Sequence, residues 1–166
     1  MRINKEKMMD AVQIAAASMN KNLVPGIAMA YFSEGKLIHT ETAGTADPET
    51  GAAVTENTHF EAASLTKPVF ARLVLQLADK GLIDLDRPLS EYAPEAMPSD
   101  DERCKNITAK HVLSHGTGLP NWGDAPLPLA FEPGTSFGYS GKGYTYLQDA
   151  VEKITGRRTD DLMQTE

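Results

Sequence analysis

The chain reads as short periodic segments separated by polar, turn-forming stretches. Met8, Val12, Ala15, Met19 and Leu23 fall at i, i+4, i+7, i+11 and i+15, one face of a helix. Val24-Pro25-Gly26 breaks that pattern. Two apolar runs follow, residues 27–32 and 37–42, with Ser33-Glu34-Gly35-Lys36 between them as a hairpin turn. Residues 44–58, rich in Gly, Pro, Thr and Asn, predict a loop. A helix is expected from near Ser64. Val69, Phe70, Leu73, Leu77 and Ala78 form its apolar stripe, and Gly81 stops it.

Residues 82–106 read as acidic and proline-containing loops. Thr108 is placed to cap a short helix through Leu113, which Gly116-Thr117-Gly118-Leu119-Pro120 ends. Pro120, Pro126, Pro128 and Pro133 make the next stretch irregular. Tyr144, Leu147, Val151 and Ile154 mark another amphipathic helix, stopped by Gly156. Thr159-Asp160-Asp161-Leu162 opens one more. One hairpin and several helices predict an α+β fold. A lone two-stranded hairpin is marginal unless other strands or helices cover it.

Composition narrows the function classes. The chain has 166 residues, 41% of them apolar and 23% charged, which suits one soluble domain or a piece of a larger one. The net charge of −7 leaves no basic footprint, so a nucleic-acid or anionic-membrane partner is not expected. Residues 84–102 hold seven acids against one base, Arg87, and read as a solvated edge. Cys104 is the single cysteine, so neither an intrachain disulfide nor a cysteine-rich metal site is possible. It reads as a free thiol in a polar stretch. No run approaches the ~18 apolar residues of a membrane span. The basic start, residues 1–7, is followed by a short run interrupted by Gln13. That suits a helix better than a signal peptide, so the chain as written is expected in the cytoplasm.

Four features could carry chemistry. Ser64-Leu65-Thr66-Lys67 puts a hydroxyl and an ammonium one helical turn apart on the same face. A serine needs a base to become a nucleophile, and a nearby lysine or tyrosine can serve. A helix N-terminus adds a field and free N–H groups suited to an oxyanion. The spacing alone does not select Ser64. Eight serines and ten lysines give about 0.5 chance matches, by simple counting, and the chain holds three, at Ser18, Ser33 and Ser64. Only Ser64 stands at a helix start after an apolar lead-in, and a plain N-cap serine is the competing reading.

The other features are weaker. Tyr139-Ser140-Gly141 lies in a turn-rich segment, where a tyrosine near a lysine can pass a proton. Packing under a loop is the alternative. Gly134-Thr135-Ser136-Phe137-Gly138 fits Gly-x-Ser-x-Gly, but two prolines precede it and the last histidine, His115, comes before Ser136 rather than after it. His111 and His115 have metal-like i, i+4 spacing without the glutamate of a zinc protease helix, so packing or capping is expected and no metal. There is no glycine-rich phosphate loop of Walker type, and no cofactor is expected.

The order of segments resembles the serine β-lactamase-like superfamily, in the branch of class C β-lactamases, low-molecular-weight penicillin-binding proteins and family VIII-type esterases. The resemblance rests on Val24-Pro25-Gly26-Ile27, on Phe60-Glu61-Ala62-Ala63-Ser64-Leu65-Thr66-Lys67-Pro68 and on Gly81-Leu82-Ile83-Asp84. It continues through Val112-Leu113-Ser114-His115-Gly116-Thr117-Gly118-Leu119-Pro120 and Pro133-Gly134-Thr135-Ser136-Phe137-Gly138-Tyr139-Ser140. It implies a β-lactamase/transpeptidase-like fold and acyl transfer on a small ester, amide or β-lactam. Ser64 would be the nucleophile, Lys67 an aid to proton transfer and Tyr139 the general base. Two departures stand out. Gly141 occupies the place of the asparagine in the family's Tyr-x-Asn motif. The residues after Tyr139 contain no Lys-Thr-Gly or His-x-Gly, the third motif, carried on a later strand. Residues 1–166 are therefore expected to be the N-terminal portion of one such domain: the helical region, the first helix and the hairpin, without the C-terminal sheet strands. The alternative is a catalytically inactive fragment or binding module that keeps the helical region.

Overall fold

A computed structural model describes residues 5–165, which form two compact units, Met1–Glu61 and Ala62–Glu166. The first unit contains helix α1 (Lys5–Asn22) and strands β1 (Gly26–Ser33), β2 (Lys36–Asp47) and β3 (Ala52–Ala53). On α1 the expected face is visible: Val12, Ala15 and Met19 are half-buried while residues 13, 14 and 16–18 are exposed. Leu23 lies beyond the helix with φ 54° and is exposed. The side chain of Met8 and residues 1–4 lie outside the described residues.

The sheet is antiparallel in the order β1-β2-β3. Ser33 pairs with Lys36, leaving Glu34 and Gly35 as a two-residue turn with φ 51° and 74°. Two successive positive φ values match the twist of the strands, and glycine meets that demand without strain. Ile27, Met29 and Tyr31 are half-buried, while Ala28, Ala30 and Phe32 face out, the alternation of a one-sided sheet.

The loop expected at 44–58 is partly strand. β2 runs on to Asp47, and β3 pairs with it through Thr45↔Ala53 and Asp47↔Ala52. The Asp47 carboxylate accepts from the Glu49 N–H at 2.9 Å and the Thr50 hydroxyl at 2.8 Å, which folds the chain back on itself. Ala52 and Ala53 are exposed, so backbone pairing made this strand with no apolar alternation to announce it.

The second unit holds helices α2 (Thr66–Asp79), α3 (Ala109–Leu113), α4 (Gly141–Thr155) and α5 (Thr159–Thr165). Their shared core joins Phe70, Leu73, Val74 and Leu77 of α2 to Tyr146, Leu147, Ala150 and Val151 of α4, with Val112, Leu162, Leu89 and Ile107. The α2 stripe therefore points as expected but differs in its members. Val74 is buried and Val69 is exposed. At 100° per residue, Val69 sits about 90° around the axis from the centre of the 70/73/74/77 stripe.

Residues 82–106 are more structured than a solvated edge. Three 3₁₀ turns, Leu89–Glu91, Pro94–Ala96 and Glu102–Asn106, put Leu89, Ala93 and Cys104 into the core. The outward acids pair with bases: Glu91 with Arg87 at 2.7 Å, Asp101 with Arg103 at 2.6 Å and Glu95 with Lys153 at 2.7 Å. Cys104 is a free thiol, but a fully buried one, and burial pushes its pKa up to about 11. Among the described residues no helix is long and apolar enough to cross a membrane.

Candidate active site

Thr108 caps α3 as the sequence predicts. Its hydroxyl accepts the His111 N–H, and its own N–H donates to His111 Nδ1, each at 3.3 Å. This short helix and the turn after it bring His115 beside the segment that carries Tyr139. Ser140 caps α4. Its buried hydroxyl accepts from the Gly143 N–H at 2.8 Å and donates to the Pro120 carbonyl at 3.0 Å. Tyr139, one residue before that cap, is held where α4 begins.

Ser64 does not cap α2. The Ala63–Leu65 segment is a 3₁₀ turn, α2 starts at Thr66, and Leu65 at the cap position makes no side-chain bond. Pro68 falls in the first helical turn, where no intrahelical N–H bond is lost. Ala63 has φ 44°, a left-handed conformation that costs an alanine about 1 kcal/mol. Alanine gives no hint of that turn, so sequence reasoning put the helix start at Ser64 itself.

The Ser64 hydroxyl is instead the meeting point of the site. The Tyr139 hydroxyl donates to Ser64 Oγ at 2.9 Å, and Lys67 Nζ donates to it at 3.2 Å. The ammonium also lies 5.1 Å from the centre of the Tyr139 ring and 5.6 Å from that of Tyr144. The Ser64 hydroxyl, able to donate to the phenolate, and the neighbouring ammonium hold Tyr139 below the ordinary tyrosine pKa. Ser64, Lys67 and Tyr139, separated by 75 residues at the widest, thus form one cluster.

Ser136 is exposed, with no strand before it and α4 starting only at Gly141, so the Gly-x-Ser-x-Gly match lacks its structural context. His111 and His115 serve different partners: His111 Nδ1 meets the Thr108 N–H, and His115 Nδ1 accepts from the Ser140 N–H at 3.2 Å.

Beside Lys67 lies a cavity of about 370 Å³, whose walls include Asn121, Trp122, Lys142, Tyr144 and Gln148. In the sequence Tyr144 stood out only as part of a helix stripe, and none of these wall residues as part of a site. Asn121 is tied to the departure at Gly141. Its Oδ1 accepts the Gly141 N–H at 2.8 Å, and a Cβ at 141 would lie 2.7 Å from the Asn121 carbonyl oxygen and 2.9 Å from Oδ1. Only glycine fits there.

Comparison with known proteins identifies the fold and the family. Penicillin-binding protein 4 of Amycolatopsis lactamdurans is 32% identical over 158 residues, covering 85% of this chain and 41% of the relative. Esterase EstB of Burkholderia gladioli is 29% identical over 188 residues, covering 90% of this chain and 47% of the relative. The D-alanine carboxypeptidase AmpC of Burkholderia cenocepacia superposes with a TM-score of 0.82 at 25% identity, over 98% of this chain and 48% of that structure. The chain thus spans less than half the length of each of these relatives, within a β-lactamase/transpeptidase fold. The family profile described as Beta-lactamase matches residues 11–166. With nearly its whole length inside that match, the chain belongs to the beta-lactamase family.

Proposed function

We propose that residues 1–166 are the N-terminal portion of one serine hydrolase domain, and that the assembled domain transfers acyl groups through Ser64. The convergence of Tyr139 and Lys67 on Ser64 Oγ, at 2.9 and 3.2 Å, supports this reading. As a phenolate, Tyr139 accepts the Ser64 proton along the same short line, and Oγ attacks the substrate carbonyl carbon. The leaving group departs with the proton from Tyr139, leaving an ester on Ser64. Water, deprotonated by the same phenolate, then attacks that ester; Tyr139 passes the proton on to the departing Ser64 Oγ, which releases the acid and restores both groups. Lys67 favours the anionic tyrosine through its charge. The substrate is a small ester, amide or β-lactam. Esters fit best, because Gly141 offers no side-chain amide to a β-lactam.

A fluorophosphonate reacts with activated serines and tests the proposal. Labelling is expected in the complete protein, abolished in Ser64→Ala, and slowed about 10²–10⁴-fold in Tyr139→Phe. Because Tyr139 is held below the ordinary tyrosine value, the labelling rate should climb with pH through an ionisation below 10. A label that survives Ser64→Ala overturns the assignment. A second reading, a non-catalytic binding module, draws on the 41% and 47% of its relatives' lengths that the chain spans. Ser64-dependent hydrolysis of p-nitrophenyl butyrate by the chain excludes it.

A further inference from the structure

We propose that His115 is a positioning residue that holds Tyr139 against Ser64, and that it does so only as the neutral imidazole. The inference rests on the acyl-transfer reading, since what His115 positions is Tyr139. His115 sits in the turn after α3 with φ 55°, a conformation that histidine and asparagine adopt more readily than most residues. From there it grips the tyrosine on both sides of the chain. Its carbonyl accepts the N–H of Gly138 at 2.8 Å, and its Nδ1 accepts the N–H of Ser140 at 3.2 Å. Gly138 and Ser140 are the residues that flank Tyr139. The imidazole itself lies against the phenol, with ring centres 4.4 Å apart and planes 30° apart. Tyr144 and Phe137 also lie beside the imidazole, with ring centres 5.3 and 5.9 Å away and Phe137 nearly perpendicular to it.

The state of the imidazole follows from its partner. A backbone N–H only donates, so Nδ1 must carry a lone pair and the ring proton must sit on Nε2. Protonation would place an N–H against the Ser140 N–H and a positive charge in a cationic neighbourhood. Among the described residues, the titratable groups facing the ring are Lys67 from α2, Tyr139 from its own segment and Tyr144 from α4. Burial and the Lys67 ammonium both hold His115 below its ordinary value of 6.5. The gripping form therefore prevails at neutral pH and is lost in acid.

The test follows the rate of fluorophosphonate labelling of Ser64 against pH, alongside the NMR titration of His115. A phenolate base alone makes the logarithm of the rate fall with a slope of about one as pH drops. With His115 as its holder, the slope should steepen to about two below the His115 midpoint. His115→Asn keeps an acceptor and tolerates the backbone conformation. It should label at pH 8 within about tenfold of the wild type and show no steepening. His115→Leu lacks the acceptor and should label at least about tenfold more slowly than His115→Asn at that pH, the loss of one hydrogen bond. Steepening that persists in His115→Asn, a wild-type break away from the His115 midpoint, or wild-type rates in His115→Leu each overturn the proposal. Absence of any Ser64 label in the complete wild-type protein overturns the acyl-transfer reading first, and this one with it.

Discussion

Met1–Glu61 and Ala62–Glu166 are stabilised in different ways. In the first, Val54 is the one buried hydrophobic side chain among the described residues, and backbone pairing between three strands does most of the ordering. In the second, four helices and three 3₁₀ turns share a continuous core that reaches full burial at Val74, Leu89, Ile107, Leu147 and Val151. Ser64, Lys67, Tyr139 and His115 all belong to the second unit. Chemistry that depends on atoms held to within about half an ångström requires rigid packing behind it. A hydrogen-bonded ladder with half-exposed side chains has no such backing, and it tolerates substitution more easily.

Core truncation should separate the two most sharply. Leu147→Ala, at a fully buried position, should lower the unfolding free energy by about 3–4 kcal/mol, whereas Ile27→Ala on half-buried β1 should cost about 1 kcal/mol. Equal losses in urea unfolding would mean that the first unit is packed as tightly as the second. A smaller effect is expected at the α4 cap. Ser140→Ala removes the acceptor of the Gly143 N–H and leaves the Pro120 carbonyl without its donor, a cost of about 1–2 kcal/mol by the same measurement. A Ser140→Ala protein as stable as the wild type would show that this cap adds nothing to the core beneath it.

The smallest effect should come from the partly exposed Asp101–Arg103 pair. The Arg103 guanidinium and backbone N–H hold Asp101 down to about 2, against 3.8 unperturbed. A depressed carboxylate pKa stabilises the folded state above the unfolded value and loses that contribution as pH falls from 3.8 through 2. Asp101→Asn should therefore lower the urea midpoint slightly at pH 6 and leave it unchanged near pH 2, with salt reducing the difference. The same midpoint shift at both pH values would show that the aspartate acts by shape rather than by charge.

The legible parts of the fold were those in which side chains carry the signal. The apolar run of β1, the Glu34-Gly35 turn, the Thr108 cap and the α4 stripe all follow from residue type and position. β3 was hidden because two exposed alanines have no pattern. The 3₁₀ turn at Ala63–Leu65 was hidden because alanine is an unlikely residue for positive φ. At the site, Ser64 and Lys67 are one helical turn apart, so their pairing was readable as a possibility. Tyr139 reached the list mainly through resemblance, since no local rule spans 75 residues. Asn121 was invisible as a site residue, and His115 was weighed only as half of a metal-like pair. Their roles depend on which loop lies beside which, and a linear pattern does not encode that.

The close fit of Gly141 against Asn121 also constrains how this sequence can change. A side chain at 141 meets both the amide oxygen and the backbone carbonyl of Asn121, so trimming residue 121 alone does not make room. The two positions are epistatic: an asparagine can enter at 141 only after the path of the 120–122 loop has moved. Restoring the Tyr-x-Asn pattern thus lies more than one substitution away, and every intermediate must keep α4 capped while the loop is rebuilt.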